Sequence, residues 1–317
     1  MPDSHSARRD GRRAASVAGL MRWGARAAWL AVAVIGGRAV GAAVADRSAP
    51  VQLVASVGAW TGWAAGAVAL IVPSVATLTL LRAVVPGALA VAVVAACFGA
   101  GADDVLALGV PALVAALLVT SAETGREYLQ ASAYGDERRF GLRPPLGYLA
   151  ACVVTWVIWV AAVIAGPLAL AAKAWALAAV AVIMSIAGVL TLPRRWHQLS
   201  RRWLVLVPAG VVVHDPVVLD ETLMVPRRRV VAMAVAELGR ATAAGAADLT
   251  GPTPGLAVEI VVDRPTDVAL ARRPRERRGR QVSFEALLVS PTRPGAVLAE
   301  ASRRRLTVAS ATPPPST

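Results

Sequence analysis

The sequence predicts a membrane all-α bundle of about six transmembrane helices, followed by a small, mostly β domain with a C-terminal helix. Three observations carry that expectation. Of 317 residues, 56% are hydrophobic and the mean hydropathy is +0.59. The apolar residues arrive in blocks of about 20, the length that crosses a bilayer, and arginines collect between alternate blocks. After residue 193 the long blocks give way to short β-rich runs separated by Pro and Gly.

Residues 1–25 (MPDSHSARRDGRRAASVAGLMRWGA) are basic and lack apolar periodicity, which predicts a disordered arm with Trp23 at the headgroup level. The first apolar block is 27–45. It has a rival reading as a signal peptide, with Ala43-Val44-Ala45 before Asp46 as the cleavage site. The second block, Val51–Leu81, exceeds one crossing, so tilt, a kink at Pro73 or an interfacial first turn is expected; a span at 57–81 places Trp60 and Trp63 at the outer interface. Further spans are expected at 83–101, 105–122, 148–170 and 174–192, making 26–193 the transmembrane domain. Asp103 and Asp104 read as a cap for the fourth span.

The chain carries 33 Lys+Arg against 20 Asp+Glu, with Lys173 its only lysine. The basic residues alternate by loop. Arginine-rich segments are the N-terminal arm, the turn at Arg82, the loop with Arg126, Arg138, Arg139 and Arg143, and the cluster after the sixth span. Arginine-poor ones are 46–48, 99–104 and 166–173. Six crossings with both termini cytoplasmic satisfy the positive-inside rule at every loop, which predicts a multi-pass protein of the bacterial plasma membrane.

The tail (194–308, with 309–317 expected to be disordered) holds β-rich runs at 202–207, 210–215, 222–225, 230–235, 256–263 and 282–289. Pro208-Ala209-Gly210 reads as a hairpin and 295–305 as a helix; 236–255 has no assignment. The segment RRWLVLVPAGVVVHD and the closing helix resemble the bacterial pleckstrin-homology-like (PH-like) domains that follow membrane spans in actinobacterial multi-pass proteins. That resemblance covers the tail only. It implies a seven-stranded fold and a module binding lipid or protein, not a catalyst.

Candidate sites follow from charge and small-residue spacing. Arg194, Arg195, Arg201, Arg202, Arg227, Arg228, Arg229, Arg272, Arg273, Arg275, Arg277, Arg278 and Arg280 are expected to meet anionic lipid headgroups, each contributing about 1 kcal/mol near such a surface; the alternative is a solvated basic loop. Gly37 and Gly41, and Gly58, Gly62 and Gly66, are spaced for helix packing. Arg38 is the one charge expected well inside a span, with Asp46, Asp103 or Asp104 as partner. His214-Asp215 ends a strand and reads as a turn rather than a catalytic dyad. Trp156 and Trp159 read as packing or lipid-facing residues.

Cys97 and Cys152 fall in apolar blocks, and no cysteine or histidine spacing suggests a metal or other cofactor. No hydrolase, phosphate-loop or metalloprotease motif is present. The expected partners are membrane lipid and a protein at the β domain. Nucleic acid is not expected, because no aromatic platform accompanies the arginines. The leading expectation is a non-enzymatic binding or scaffolding protein, with a small transporter or channel as the alternative.

Overall fold

A computed structural model of the chain describes residues 4–237, 246–271 and 280–309, with side chains from residue 19 onward except that of Glu237. The chain divides into two units. One comprises residues 1–128 and 153–195, the other 129–152 and 196–317.

The first unit is helical. Among the described residues, six helical segments are long and apolar enough to cross a membrane: Gly19–Val44, Ala49–Ile71, Val75–Cys97, Ala102–Thr120, Leu146–Ala171 and Trp175–Ser200. They mark the chain as a membrane protein. The first helix, α1 (Ser4–Val34), begins well before the expected span at 27 and runs through residues expected to form an unstructured arm; Ala and Arg are strong helix formers. It breaks at Ile35-Gly36, and α2 (Gly37–Val44) completes the segment. A Cβ on Gly36 would lie 2.6 Å from the Val32 carbonyl oxygen and 2.8 Å from Leu108, so glycine permits this close approach.

The boundary between the second and third segments moves from Arg82 back to residues 72–74. Pro73 has no N–H to give the Ala69 carbonyl, which ends α3 (Ala49–Ile71). Ser74 and Thr77 then form a reciprocal capping box that starts α4 (Val75–Val84). After Pro86, α5 (Gly87–Cys97) completes the third segment. Two expectations are thereby corrected. Arg82 lies within the third segment rather than in a loop, and Trp60 stands at the middle of α3 rather than at its outer end.

In α6 (Ala102–Thr120) the N-cap is Gly101, so Asp103 and Asp104 occupy the first turn, where acids suit the helix dipole, rather than the cap. A short helix, α7 (Ala122–Ala131), follows. Helices α8 (Leu146–Ala171) and α9 (Trp175–Ser200) form the last pair. The latter runs on beyond the apolar block, through Pro193 and the arginines after it.

The second unit is mostly β. Its first strand, β1 (Arg138–Gly141), comes from the polar loop before the fifth segment, outside the tail where the sequence placed the whole domain. It pairs antiparallel with β2 (Trp203–Val207), which continues to β3 (Gly210–His214) and β4 (Leu223–Pro226) in one four-stranded sheet. The expected hairpin at Pro208-Ala209-Gly210 is present, with Val207 opposite Gly210. Gly210 has φ +155 and a Cβ there would collide with the Val225 carbonyl, so the tight return requires glycine.

The second sheet has the order β5-β7-β8-β6 and is built from β5 (Val230–Glu237), β6 (Ala246–Asp248), β7 (Leu256–Ala269) and β8 (Gln281–Val289). Strand β6 lies in the segment left without an assignment and pairs parallel to β8. Leu204, Leu206, Val211 and Val213 on one sheet and Met233, Ile260, Phe284 and Leu287 on the other share one buried core. Helix α10 (Pro294–Arg303) adds Val297 and Ala301 to it. Residues 306–309, beyond α10, join the second sheet rather than trailing away from it. Met233 N–H donates to Thr307 O and Ala309 N–H to Met233 O, both at 2.9 Å, with Leu306 buried.

Candidate functional site on the outer face of the first sheet

Strand alternation decides which side chains the first sheet turns outward. With Leu204, Leu206, Val211 and Val213 inward, the register puts Arg139, Trp203, Val205, Val207, Val212, His214 and Met224 on the opposite face. This face is half-buried, with Val205 4% and Met224 49% exposed; it is apolar and aromatic at its centre and basic at its rim.

Trp203 and His214 are directly opposed and stack, with ring centroids 4.9 Å apart and planes 27° from parallel. The Arg139 guanidinium lies 5.1 Å from the Trp203 ring centre. Glu137 holds Arg139 in place, its Oε1 accepting from Nε at 3.0 Å and from Nη2 at 2.5 Å. His214 Nδ1 shares a hydrogen bond of 2.8 Å with the Thr222 hydroxyl, while Nε2 is buried without a hydrogen-bond partner among the described residues. Burial, then the charge of Arg201, pushes the imidazole pKa below its usual value, Asp215 opposing and Arg139 adding to the shift. These residues line a shallow cleft of about 210 Å³ that also takes in Arg201.

The expected arginines divide sharply. Arg194, Arg195, Arg201, Arg227, Arg228 and Arg280 are exposed. Arg202 is not: it is 1% exposed and cannot reach a headgroup. Its Nε and Nη2 donate to Asp215 Oδ1 and Oδ2 at 2.8 and 2.6 Å, and Nη1 donates to Arg143 O at 2.6 Å. Asp215 Oδ1 also accepts from the Val217 and Val218 amides, making the strand-end turn the sequence suggested at His214-Asp215. Arg229 is likewise engaged, with Asp263 Oδ1 at 3.2 Å, Thr266 Oγ1 at 2.8 Å and Arg264 O at 2.9 Å. Arg272, Arg273, Arg275, Arg277 and Arg278 lie outside the described residues.

In the helical unit, Arg38 pairs with Asp104, one of its three expected partners, at 3.5 Å and remains 84% exposed at the side chain. It is not the only charge within a span. Arg82 is half-buried in α4, and its Nε is fully buried with no acceptor among the described residues. Of the five spaced glycines, one meets a neighbouring side chain. Gly66 receives the Trp29 ring, 2.5 Å from where a Cβ would stand, whereas Gly37, Gly41, Gly58 and Gly62 meet nothing within 4 Å. Trp156 and Trp159 act in packing, donating to Ala83 O at 2.8 Å and Ser185 O at 3.1 Å.

Arg139, Trp203 and Thr222 were not expected to share one site. Trp203 and His214 were findable from the hairpin register. Arg139 was not, because nothing local in RRFG announces a partner across two membrane spans. No group of three metal-ligating side chains occurs among the described residues. Comparison of the chain with known protein families, characterised proteins and solved structures finds no match.

Proposed function

We propose that this is a non-enzymatic, multi-pass protein of the bacterial plasma membrane, with cytoplasmic termini, whose β domain seats on the anionic inner leaflet. The observation that carries the reading is the outer face of the first sheet. Trp203 and Met224 supply the amphipathic and apolar surface favoured at a bilayer interface, and exposed Arg201 at the rim supplies charge for lipid phosphates. Strand β2 begins three residues after α9 ends, so the linker between the sixth segment and the sheet is short. Exposed Arg194, Arg195, Arg227, Arg228 and Arg280 add long-range attraction. The plan of two sheets with a closing helix agrees with the PH-like resemblance, although eight named strands stand where that fold has seven.

The test uses the full chain, since β1 lies outside the tail and a tail fragment would lack an edge strand. A spin label at Met224→Cys, with Cys97 and Cys152 replaced, reads immersion depth in nanodiscs. The label should move into the headgroup region when phosphatidylglycerol is included, and return to water in about 0.5 M salt, where screening is strong. Equal aqueous accessibility in neutral and anionic nanodiscs would overturn the reading.

A further inference from the structure

The helical unit carries a second basic feature, independent of the β domain, where α3 ends. The corner at Pro73 leaves the last carbonyls of α3 without helical donors, and side chains from α7 and α1 reach two of them. Tyr128 of α7 donates its hydroxyl to Ala69 O at 2.7 Å, and Arg26 of α1 donates Nε and Nη2 to Leu70 O at 3.3 and 3.0 Å. Beside this corner is a cleft of about 210 Å³ lined by Arg22, Arg26, Thr124, Glu127 and Tyr128, with Ile71 and Pro73 also in its wall.

The charges there do not balance. Arg22 pairs with Glu127 at 3.1 Å, and Arg126 with Glu123 at 2.9 Å. Arg26 has no carboxylate partner among the described residues, and its Nη1 donates to none of their acceptors. The cleft therefore carries one uncompensated guanidinium. Its surroundings are apolar and open: Ile71 is 67% exposed, Val72 52% and Trp23 63%, with the Arg26 guanidinium 5.2 Å from the Trp23 ring centre. A polar, cationic cleft rimmed by exposed apolar side chains matches an amphiphile with an anionic head. Basic pockets between transmembrane helices are suited to that chemistry.

We infer that this cleft seats the phosphate of one anionic phospholipid, held by Arg26 and Arg22, with acyl chains against Ile71, Val72 and Trp23. Glu127 competes with the phosphate for Arg22, which gives the site a signature of opposite signs.

The experiment is native mass spectrometry of the full-length protein in neutral detergent, titrated with phosphatidylglycerol or phosphatidylcholine. A single phosphatidylglycerol adduct, stronger than any phosphatidylcholine adduct, is expected. Arg22→Gln and Arg26→Gln should each weaken it about fivefold, the worth of one charge near an anionic group. Arg26→Lys, which loses the two-bond cap on Leu70 but keeps the charge, should retain most of it. Glu127→Gln should tighten it. A merely structural role for these residues would produce no tightening. Equal adducts of both lipids, or Glu127→Gln weakening binding, would overturn the inference. Displacement of the lipid by millimolar inorganic phosphate would overturn the lipid as occupant; persistence of the adduct supports it.

Discussion

Trp29 and Trp63 each donate an indole N–H to the other's backbone carbonyl, both at 2.9 Å. The exchange ties α1 to α3 in a setting where lipid supplies no hydrophobic drive and packing and hydrogen bonds hold helices together. Gly66 makes it feasible, because the Trp29 ring occupies the place of its missing Cβ. Gly66→Ala should destabilise the bundle by about 1–3 kcal/mol through overpacking, and Trp63→Phe by about 0.6–1.7 kcal/mol through loss of an interhelical bond. Gly62→Ala, with open space around it, should be near neutral. Thermal unfolding in detergent checks all three, and equal effects at Gly62 and Gly66 would contradict the packing described.

The Arg202–Asp215 pair is fully buried and bidentate. Removing one partner leaves a buried charge uncompensated, so Arg202→Ala should cost about 3–5 kcal/mol. Arg201→Ala, one residue away and exposed, should stay within about 0.5 kcal/mol. Chemical denaturation followed by near-UV signals from the β domain distinguishes them.

His214 gives the β domain a pH dependence. Its folded pKa lies below the unfolded value of 6.5, with burial the leading cause. The folded state therefore favours the neutral ring. Its contribution to stability is complete above pH 6.5. It is lost as pH falls from there to the folded pKa, because the unfolded chain takes up a proton first. His214→Asn should flatten the fall in melting temperature over that window. An unchanged slope would assign it to other groups.

Tyr128 behaves in the opposite sense. Burial, then the neighbouring Glu127 charge, pushes its hydroxyl pKa up to about 12 from 10, with Arg26 opposing. The neutral phenol is favoured in the folded state, so this contribution is full below pH 10 and is lost as pH rises through the folded value. Absorbance titration should show one tyrosine resisting ionisation beyond the others, and Tyr128→Phe should remove that late step.

The helical segments were legible in the sequence because hydropathy over about 20 residues is a strong, local signal. The hairpin at Pro208-Ala209-Gly210 and helix α10 were legible for the same reason, each resting on turn or helix grammar within a few residues. The second boundary was misplaced because arginine at position 82 looked like a loop marker. Proline and the Ser74–Thr77 box in fact set the break, and the arginine was placed inside a helix facing Gly125. Strands β1 and β6 were invisible because a short edge strand takes its identity from its partner, and the partner of β1 is more than 60 residues away. The buried role of Arg202 was hidden for a related reason. In RRW one arginine faces the core and its neighbour faces out, and only the position of Asp215 after the hairpin settles which.

That pairing of β1 with β2 is the most direct handle on topology. A strand from the loop before the fifth span can join the tail only if both lie on one side of the membrane, with two crossings between them. Cysteines placed singly at Tyr134 and Ala209, both exposed and outside the helices, can be probed with an impermeant maleimide in right-side-out vesicles of a variant lacking Cys97 and Cys152. Both sites should stay unlabelled until the membrane is opened, then react together. Labelling of either one in sealed vesicles would contradict the cytoplasmic placement, and labelling of only one would break the shared sheet as well.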